Sequence, residues 1–156
     1  MTIYVDTREK PDAIAKIIET FDAAGVEVIH QKLDEGDYAT SPDSLLVIDR
    51  KQNLAEVCAN LTWQHERFQR ELRRAELKGK HLTILVEHGG TIHTLDDVKN
   101  WKNPRTKESP YAVSGKRLHQ LMLGYAARYH IDWQFCDKRV TGKRIIEILT
   151  GGEANE

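Results

Sequence analysis

The chain has no apolar run approaching the ~20 residues that a bilayer-spanning helix needs, so a membrane-spanning helix is not expected. Its first residues, Met1-Thr2-Ile3-Tyr4-Val5-Asp6, lack a basic segment followed by an apolar one, and no secretory signal is read there. Cysteine is scarce. Cys58 and Cys136 lie in apolar settings without C-x-x-C spacing and read as reduced core thiols of a cytoplasmic protein. The seven histidines show neither H-x-H nor H-E-x-x-H spacing, which argues against a zinc site. P-loop and G-x-G-x-x-G patterns are absent, as is the elbow motif of Ser-His-Asp hydrolases, so those chemistries have no support. Repeats and low-complexity tracts are missing too. At 156 residues, 40% hydrophobic and 30% charged, the chain reads as one globular domain over residues 1–150, with a frayed tail at 151–156.

A net charge of −1 conceals an asymmetry. Residues 1–60 carry 6 Lys+Arg against 12 Asp+Glu (−6), and residues 61–156 carry 17 against 12 (+5). A domain that is acidic in one part and basic in another suits a polyanionic partner. The periodicity alternates between strand and helix. Short strands are expected at Ile3–Val5, Val26–Gln31, Tyr38–Thr40, Leu45–Asp49, His81–Glu87 and Ile131–Cys136. Helices are expected from Asp12 to Ala24, Leu54 to Asn60 and His65 to Lys78. Two more should start at Ser114 and Thr141, each acting as a cap. Gly25 and Gly151 stop the first and last helices, while Asp96–Pro110 reads as loop with a helical turn at Asp96–Trp101. This order gives an α/β layer structure whose central sheet is mixed and flanked by helices.

Acids gather at the ends of these strands. Gly36-Asp37-Tyr38 and Val47-Ile48-Asp49-Arg50-Lys51 flank a turn at Pro42-Asp43, and the hairpin they imply would set Asp37 beside Asp49. Asp49 and Lys51, two residues apart on a strand, would share one face. The end of the first strand would bring in Asp6 and Glu9. Clustered carboxylates repel one another, and a hard cation would stabilise them. Carboxylates, a cation and a neighbouring lysine are what phosphodiester hydrolysis requires.

At these residues the chain resembles the nuclease domain of the XPF/Hef family of structure-specific endonucleases. That family's V-D-x-R-E, G-D-Y and V-E-R-K patterns are matched by Val5 to Glu9, Gly36 to Tyr38 and Val47 to Lys51. The resemblance implies a restriction-endonuclease-like core and a Mg²⁺ site (Mn²⁺ substituting) formed by Asp6, Asp37 and Asp49. It also implies Arg8, Arg50 and Lys51 around the scissile phosphate, with Glu9 beside them. On this reading Asp37 and Asp49 ligate the ion, and Lys51 orients or deprotonates the attacking water or stabilises the transition state. Two departures stand out: aspartate replaces the family's glutamate at position 49, and Ala55 stands where the family has a further aspartate, with Glu56 adjacent. Neither a helix-hairpin-helix module nor a helicase region is recognised, which suggests a stand-alone member of the kind phages or prophages encode. The expected substrate is branched, flap or fork DNA, handled in the cytoplasm or with the nucleoid. Dimerisation through the C-terminal helices is also implied. The rival readings are a catalytically silent DNA-binding partner, and a junction resolvase or restriction-type nuclease on the same core.

Two basic surfaces are candidates for DNA. Arg67, Arg70 and Arg74 fall on one helical stripe opposite Phe68, Leu72 and Ala75. The loop bearing Lys102, Arg105, Lys107 and Tyr111, followed by Lys116 and Arg117, interleaves cations with aromatics and could hold phosphates and stack an unpaired base. Trp101 reads as a packing residue.

Overall fold

The computed structural model describes residues 1–151; the rest of the tail expected to fray lies outside the described residues. In chain order the elements are β1 (Thr2–Val5), α1 (Ala15–Ala23), β2 (Glu27–His30), β3 (Tyr38–Ala39), β4 (Leu46–Lys51), α2 (Leu54–Leu61), α3 (His65–Leu77), β5 (His81–Glu87), α4 (Gly115–Arg128), β6 (Ile131–Cys136) and α5 (Thr141–Thr150). Single 3₁₀ turns occupy Asp96–Asn100, Pro104–Lys107 and Lys138–Val140. The strands form one mixed sheet in the order β2-β1-β3-β4-β5-β6. Only β3 runs antiparallel to its two neighbours; the other pairings are parallel.

Side-chain alternation on the strands divides the core into two layers. Leu82, Ile84 and Val86 of β5 pack with α2, α3 and α4, against Leu54, Phe68, Leu72, Leu118 and Met122. Leu85, one residue out of phase, joins Ile3, Val5, Tyr38 and Ile48 under α1 and α5. The result is a sheet with helices on both faces, the restriction-endonuclease-like architecture expected from the sequence. Cys58 and Cys136 are free and buried, and Trp101 is a core residue as read. No helix among the described residues is long and apolar enough to cross a membrane.

Three local expectations are corrected. The first helix begins at Ala15, not Asp12; the residues before it form a turn in which the N–H groups of Ala13 and Ile14 both donate to the Lys10 carbonyl. Thr141 does not cap the last helix: Val140 holds that position, and the Thr141 hydroxyl donates instead to Glu87 Oε2 at 2.6 Å. Strand β4 spans Leu46–Lys51 rather than Leu45–Asp49, which keeps Lys51 on the strand with Asp49 as their spacing required. The glycine ends and the Ser114 cap are as expected, with Gly25 and Gly151 at φ +74° and +75° and Ser114 Oγ accepting from Arg117 N.

Gly36 sets the approach of β3 to β4. Its φ is +75°, and a Cβ there would overlap Val47 Cγ1. Only glycine lets the turn before β3 lie this close against β4.

Candidate active site

Residues Tyr38 of β3 and Ile48 of β4 stand opposite each other, and Asp37 N donates to the Ile48 carbonyl at 2.7 Å. That register sets Asp37 beside Asp49, as the hairpin reading anticipated. Asp37 Oδ2 accepts from the backbone N–H of Arg50 at 2.8 Å. Asp49 and Lys51 share the face turned to α2 and α3, with Lys51 Nζ 3.2 Å from Asp49 Oδ2 and 5.0 Å from the centroid of the Phe68 ring. The lysine is not aligned for a hydrogen bond, so Asp49 Oδ2 is a buried oxygen without a hydrogen-bond partner.

A third carboxylate arrives from α3. Glu71 Oε2 accepts from Gly36 N at 3.2 Å, and its side chain lines the same cleft of about 280 Å³ as Asp37, Asp49, Lys51, Glu56 and Arg67. A second cleft of about 380 Å³ shares Lys51, Glu71 and Arg67 and extends along Asn60 and Gln64. Desolvation, then the charges of Asp49 and Glu9, hold the Asp37 carboxyl well above the usual carboxylate range. Burial and Asp49 push Glu71 up as well. Burial opposes the charge on Lys51, yet Asp49, Glu56, Asp37 and Glu71 outweigh it and raise its pKa. The carboxyls of this cleft therefore resist ionising together, a repulsion that a bound cation would relieve. A divalent cation would fit here, held by Asp37 and by the Asp49 oxygen that accepts no hydrogen bond.

Arg8, Glu9 and Arg50 also line this cleft, but their charged groups, like that of Asp6, are held by other partners. Arg50 does not reach into the cleft with its guanidinium. Its Nε and Nη2 donate to Glu9 at 2.7 and 3.1 Å and its Nη1 to Glu87 at 2.6 Å. The cause is the period of two: between Asp49 and Lys51, residue 50 must point into the α1/α5 layer, where Glu87 also points. Asp6 is likewise not turned to the acid pair. Its Oδ1 accepts from Leu33 N at 2.8 Å, and its Oδ2 takes Arg8 Nε at 2.6 Å. Asp6 thus ties the chain ahead of Gly36 to the end of β1. Glu9, besides holding Arg50, accepts from the Tyr38 hydroxyl at 2.7 Å. Arg8 keeps an exposed side chain at the cleft edge, although its Nη2 also donates to the Leu33 carbonyl.

Of the arginine stripe, Arg67 lines both clefts and Arg70 is exposed, whereas Arg74 lies 3.8 Å from the buried Glu35, which Lys78 and Lys80 also pair. Lys102, Arg105, Lys107, Lys116 and Arg117 are exposed, away from the acids. Glu56 lines the cleft but also closes a helix cap: Asn53 Oδ1 accepts from its N–H, and its own Oε1 accepts from Gln52 N. Sequence reasoning missed Glu71. Its signal was faint: it sits between the core stripe of α3 and the arginine stripe, where an acid passes for a solvated partner of Arg67.

The acid-lysine cleft on a mixed sheet places the molecule in a defined class: the chain belongs to the ERCC4 domain family, whose model matches residues 5–146. Among solved structures it is similar to XPF from Aeropyrum pernix, with 22% identity and a TM-score of 0.68 over 98% of this chain. It is also similar to XPF from Aeropyrum pernix in complex with DNA, with 21% identity and a TM-score of 0.66 over 99% of this chain. The chain spans just under two thirds of those two proteins, 65% and 66% of their lengths. The likeness to both lies in the fold. No curated protein matches the chain.

Proposed function

We propose that this domain is a divalent-metal-dependent endonuclease that hydrolyses phosphodiester bonds in branched, flap or fork DNA, with Mg²⁺ as its ion and Mn²⁺ as a substitute. One observation carries the reading: a buried carboxylate oxygen of Asp49 that accepts no hydrogen bond, with Lys51 as its ion-pair neighbour and Asp37 beside it, in an open cleft. Asp37 and Asp49 would hold the ion, with Glu71 as a neighbouring carboxylate. Among the described residues no group of three or more His, Cys, Asp or Glu forms a metal cage. The two carboxylates Asp37 and Asp49 are the number that Mg²⁺ characteristically takes, completing its shell with waters and substrate phosphates. When bound, the ion would acidify a water and neutralise charge on the phosphate. Lys51, kept cationic by the surrounding acids, is placed to stabilise negative charge developing on the phosphoryl group. Arg67 at the rim would hold the backbone, a contact that positions DNA without reading its sequence. Family membership supports this chemistry, since ERCC4 proteins are nucleases, and a relative of the same fold has been seen with DNA.

The test is cleavage of matched flap, fork, four-way junction and linear duplex DNA in Mg²⁺ or EDTA. Wild-type protein should cut the branched substrates in Mg²⁺ only. Asp49→Asn should lose about two orders of magnitude or more, because metal charge stabilisation is worth several kcal/mol. Binding without cleavage in either metal would instead identify a silent DNA-binding partner. The homodimer belongs to this proposal too. Leu123 of α4 is exposed, and Ile146 and Leu149 of α5 are only partly covered, which leaves apolar surface for an isologous contact. Light scattering should give twice the 17.9 kDa chain mass at high micromolar concentration, and a monomer there would remove the dimer from the reading.

A further inference from the structure

Along α2, beside the cleft that extends past Asn60, lies a further concavity that the catalytic reading leaves unused. It has a volume of about 340 Å³, at the lower end for ligand sites, and lies between the end of α2 and the loop after Asn103. Cys58 and Ala59 line it together with Trp63, Arg105 and Tyr111. Trp63 and Tyr111 are 70% and 92% exposed, the two most exposed aromatic side chains of the described residues, and both lie at this one depression. Large aromatic faces left in water are costly unless something covers them. Arg105 is close enough to the Cys58 thiol to lower its pKa, against the upward pull of burial.

The pocket is held open by its own hydrogen bonds. Asn103 is buried; its Nδ2 donates to the Val113 carbonyl at 2.9 Å, its Oδ1 accepts from Arg105 N at 3.0 Å, and its carbonyl accepts from the Thr106 hydroxyl at 2.7 Å. The two ends of the loop are therefore pinned before any ligand arrives. Ala59, a small residue, borders both this pocket and the cleft that leads to Lys51 and Glu71, so only a low ridge separates the two. A planar aromatic group that also carries negative charge matches such walls: π faces for stacking and a guanidinium for an anion.

We propose that the pocket between Trp63 and Tyr111 receives an unpaired nucleobase of single-stranded DNA, with Arg105 on the adjoining phosphate. The proposal rests on the reading of this chain as a DNA-acting enzyme and adds a site that distinguishes a branched substrate from a plain duplex. A base inside a duplex is already stacked on its neighbours and cannot enter. A frayed or flapped base can, and the pocket then anchors the single strand one ridge away from the metal-binding acids.

Intrinsic fluorescence tests this without any cleavage, in EDTA. Trp101 and Trp133 are buried, so acrylamide reports on Trp63. Oligo-dT should shield Trp63 from acrylamide, whereas blunt duplex of equal length should not. Trp63→Ala and Tyr111→Ala should each weaken oligo-dT binding about tenfold and change duplex binding less than twofold. Trp63→Phe should retain most of the affinity, because its ring still stacks. Arg105→Ala should flatten the salt dependence of oligo-dT binding by about one unit of slope. Unchanged quenching with oligo-dT, or equal losses on single strand and duplex, would overturn the pocket. Shielding of Trp63 in a protein that cuts no substrate would leave the pocket standing and remove the nuclease reading. Cleavage of branched DNA by a protein whose Trp63 stays silent would do the reverse.

Discussion

Arg50 offers the sharpest test of the structure against the sequence motif. Its side chain is only 3% exposed, and three of its nitrogens donate to two carboxylates, those of Glu9 and Glu87, the latter 2% exposed. Those acids are otherwise steadied only by single hydroxyls, Tyr38 on Glu9 and Thr141 on Glu87. Arg50→Met fills a similar volume and leaves two poorly solvated carboxylates facing each other. Breaking a buried pair by removing one partner costs about 3–5 kcal/mol. Against a domain stability of about 5–15 kcal/mol, that is about a fifth or more of the total. At about 2–4 °C per kcal/mol for a chain of this size, the melting temperature should fall by about 6–20 °C. The triple variant Arg50→Met, Glu9→Gln, Glu87→Gln should recover at least half of the loss, since neutral amides remove the unpaired charge. Urea denaturation followed by circular dichroism measures both. DNA affinity, taken well below the melting point, should change little and keep its salt slope. A drop of less than about 1 kcal/mol in Arg50→Met, or a salt slope lowered by about one unit, would show that the guanidinium contacts phosphate and that the buried network is misjudged.

Two further predictions concern charge. Asp37 has a raised pKa in the folded protein, so its ionised form opposes folding once the pH exceeds that value, and the penalty fades as the pH falls toward the ordinary carboxylate range. Metal-free Asp37→Asn should therefore melt higher than wild type near pH 7–8, by about 2–4 °C for each kcal/mol relieved, and the gain should shrink on acidification. The amide oxygen can still accept from Arg50 N, so a lower melting temperature at neutral pH would refute the repulsion argument. Arg70→Ala should weaken branched and linear DNA alike and reduce the salt slope by about one unit, whereas Arg74→Ala, already drawn toward Glu35, should reduce it less. Equal slopes in the two variants, read by fluorescence anisotropy, would contradict the assigned pairing.

The residues that sequence could place were those whose geometry is local. Asp37 and Asp49 meet across a hairpin of a dozen residues, and Asp49 shares a strand face with Lys51; alternation and one turn suffice to bring them together. Strands β5 and β6 were legible to the residue because β5 is a buried apolar run and β6 alternates apolar with polar residues up to Phe135, each bounded by polar or glycine signals. What only the tertiary structure decided involved partners distant in sequence. Strand alternation turns the Arg50 side chain from Asp49 and Lys51, but that it meets Glu87, 37 residues later on a parallel neighbour, is decided by the sheet. Asp6 is drawn off by the Leu33 amide, 27 residues on, and so does not join Asp37 and Asp49 as its motif suggested. Glu71 replaces it in the cleft because α3 crosses directly over the glycine turn at Gly36. The pocket of Trp63 and Tyr111 likewise joins segments almost fifty residues apart. Periodicity specifies which face of a strand or helix a side chain occupies; the packing of layers specifies what that face meets.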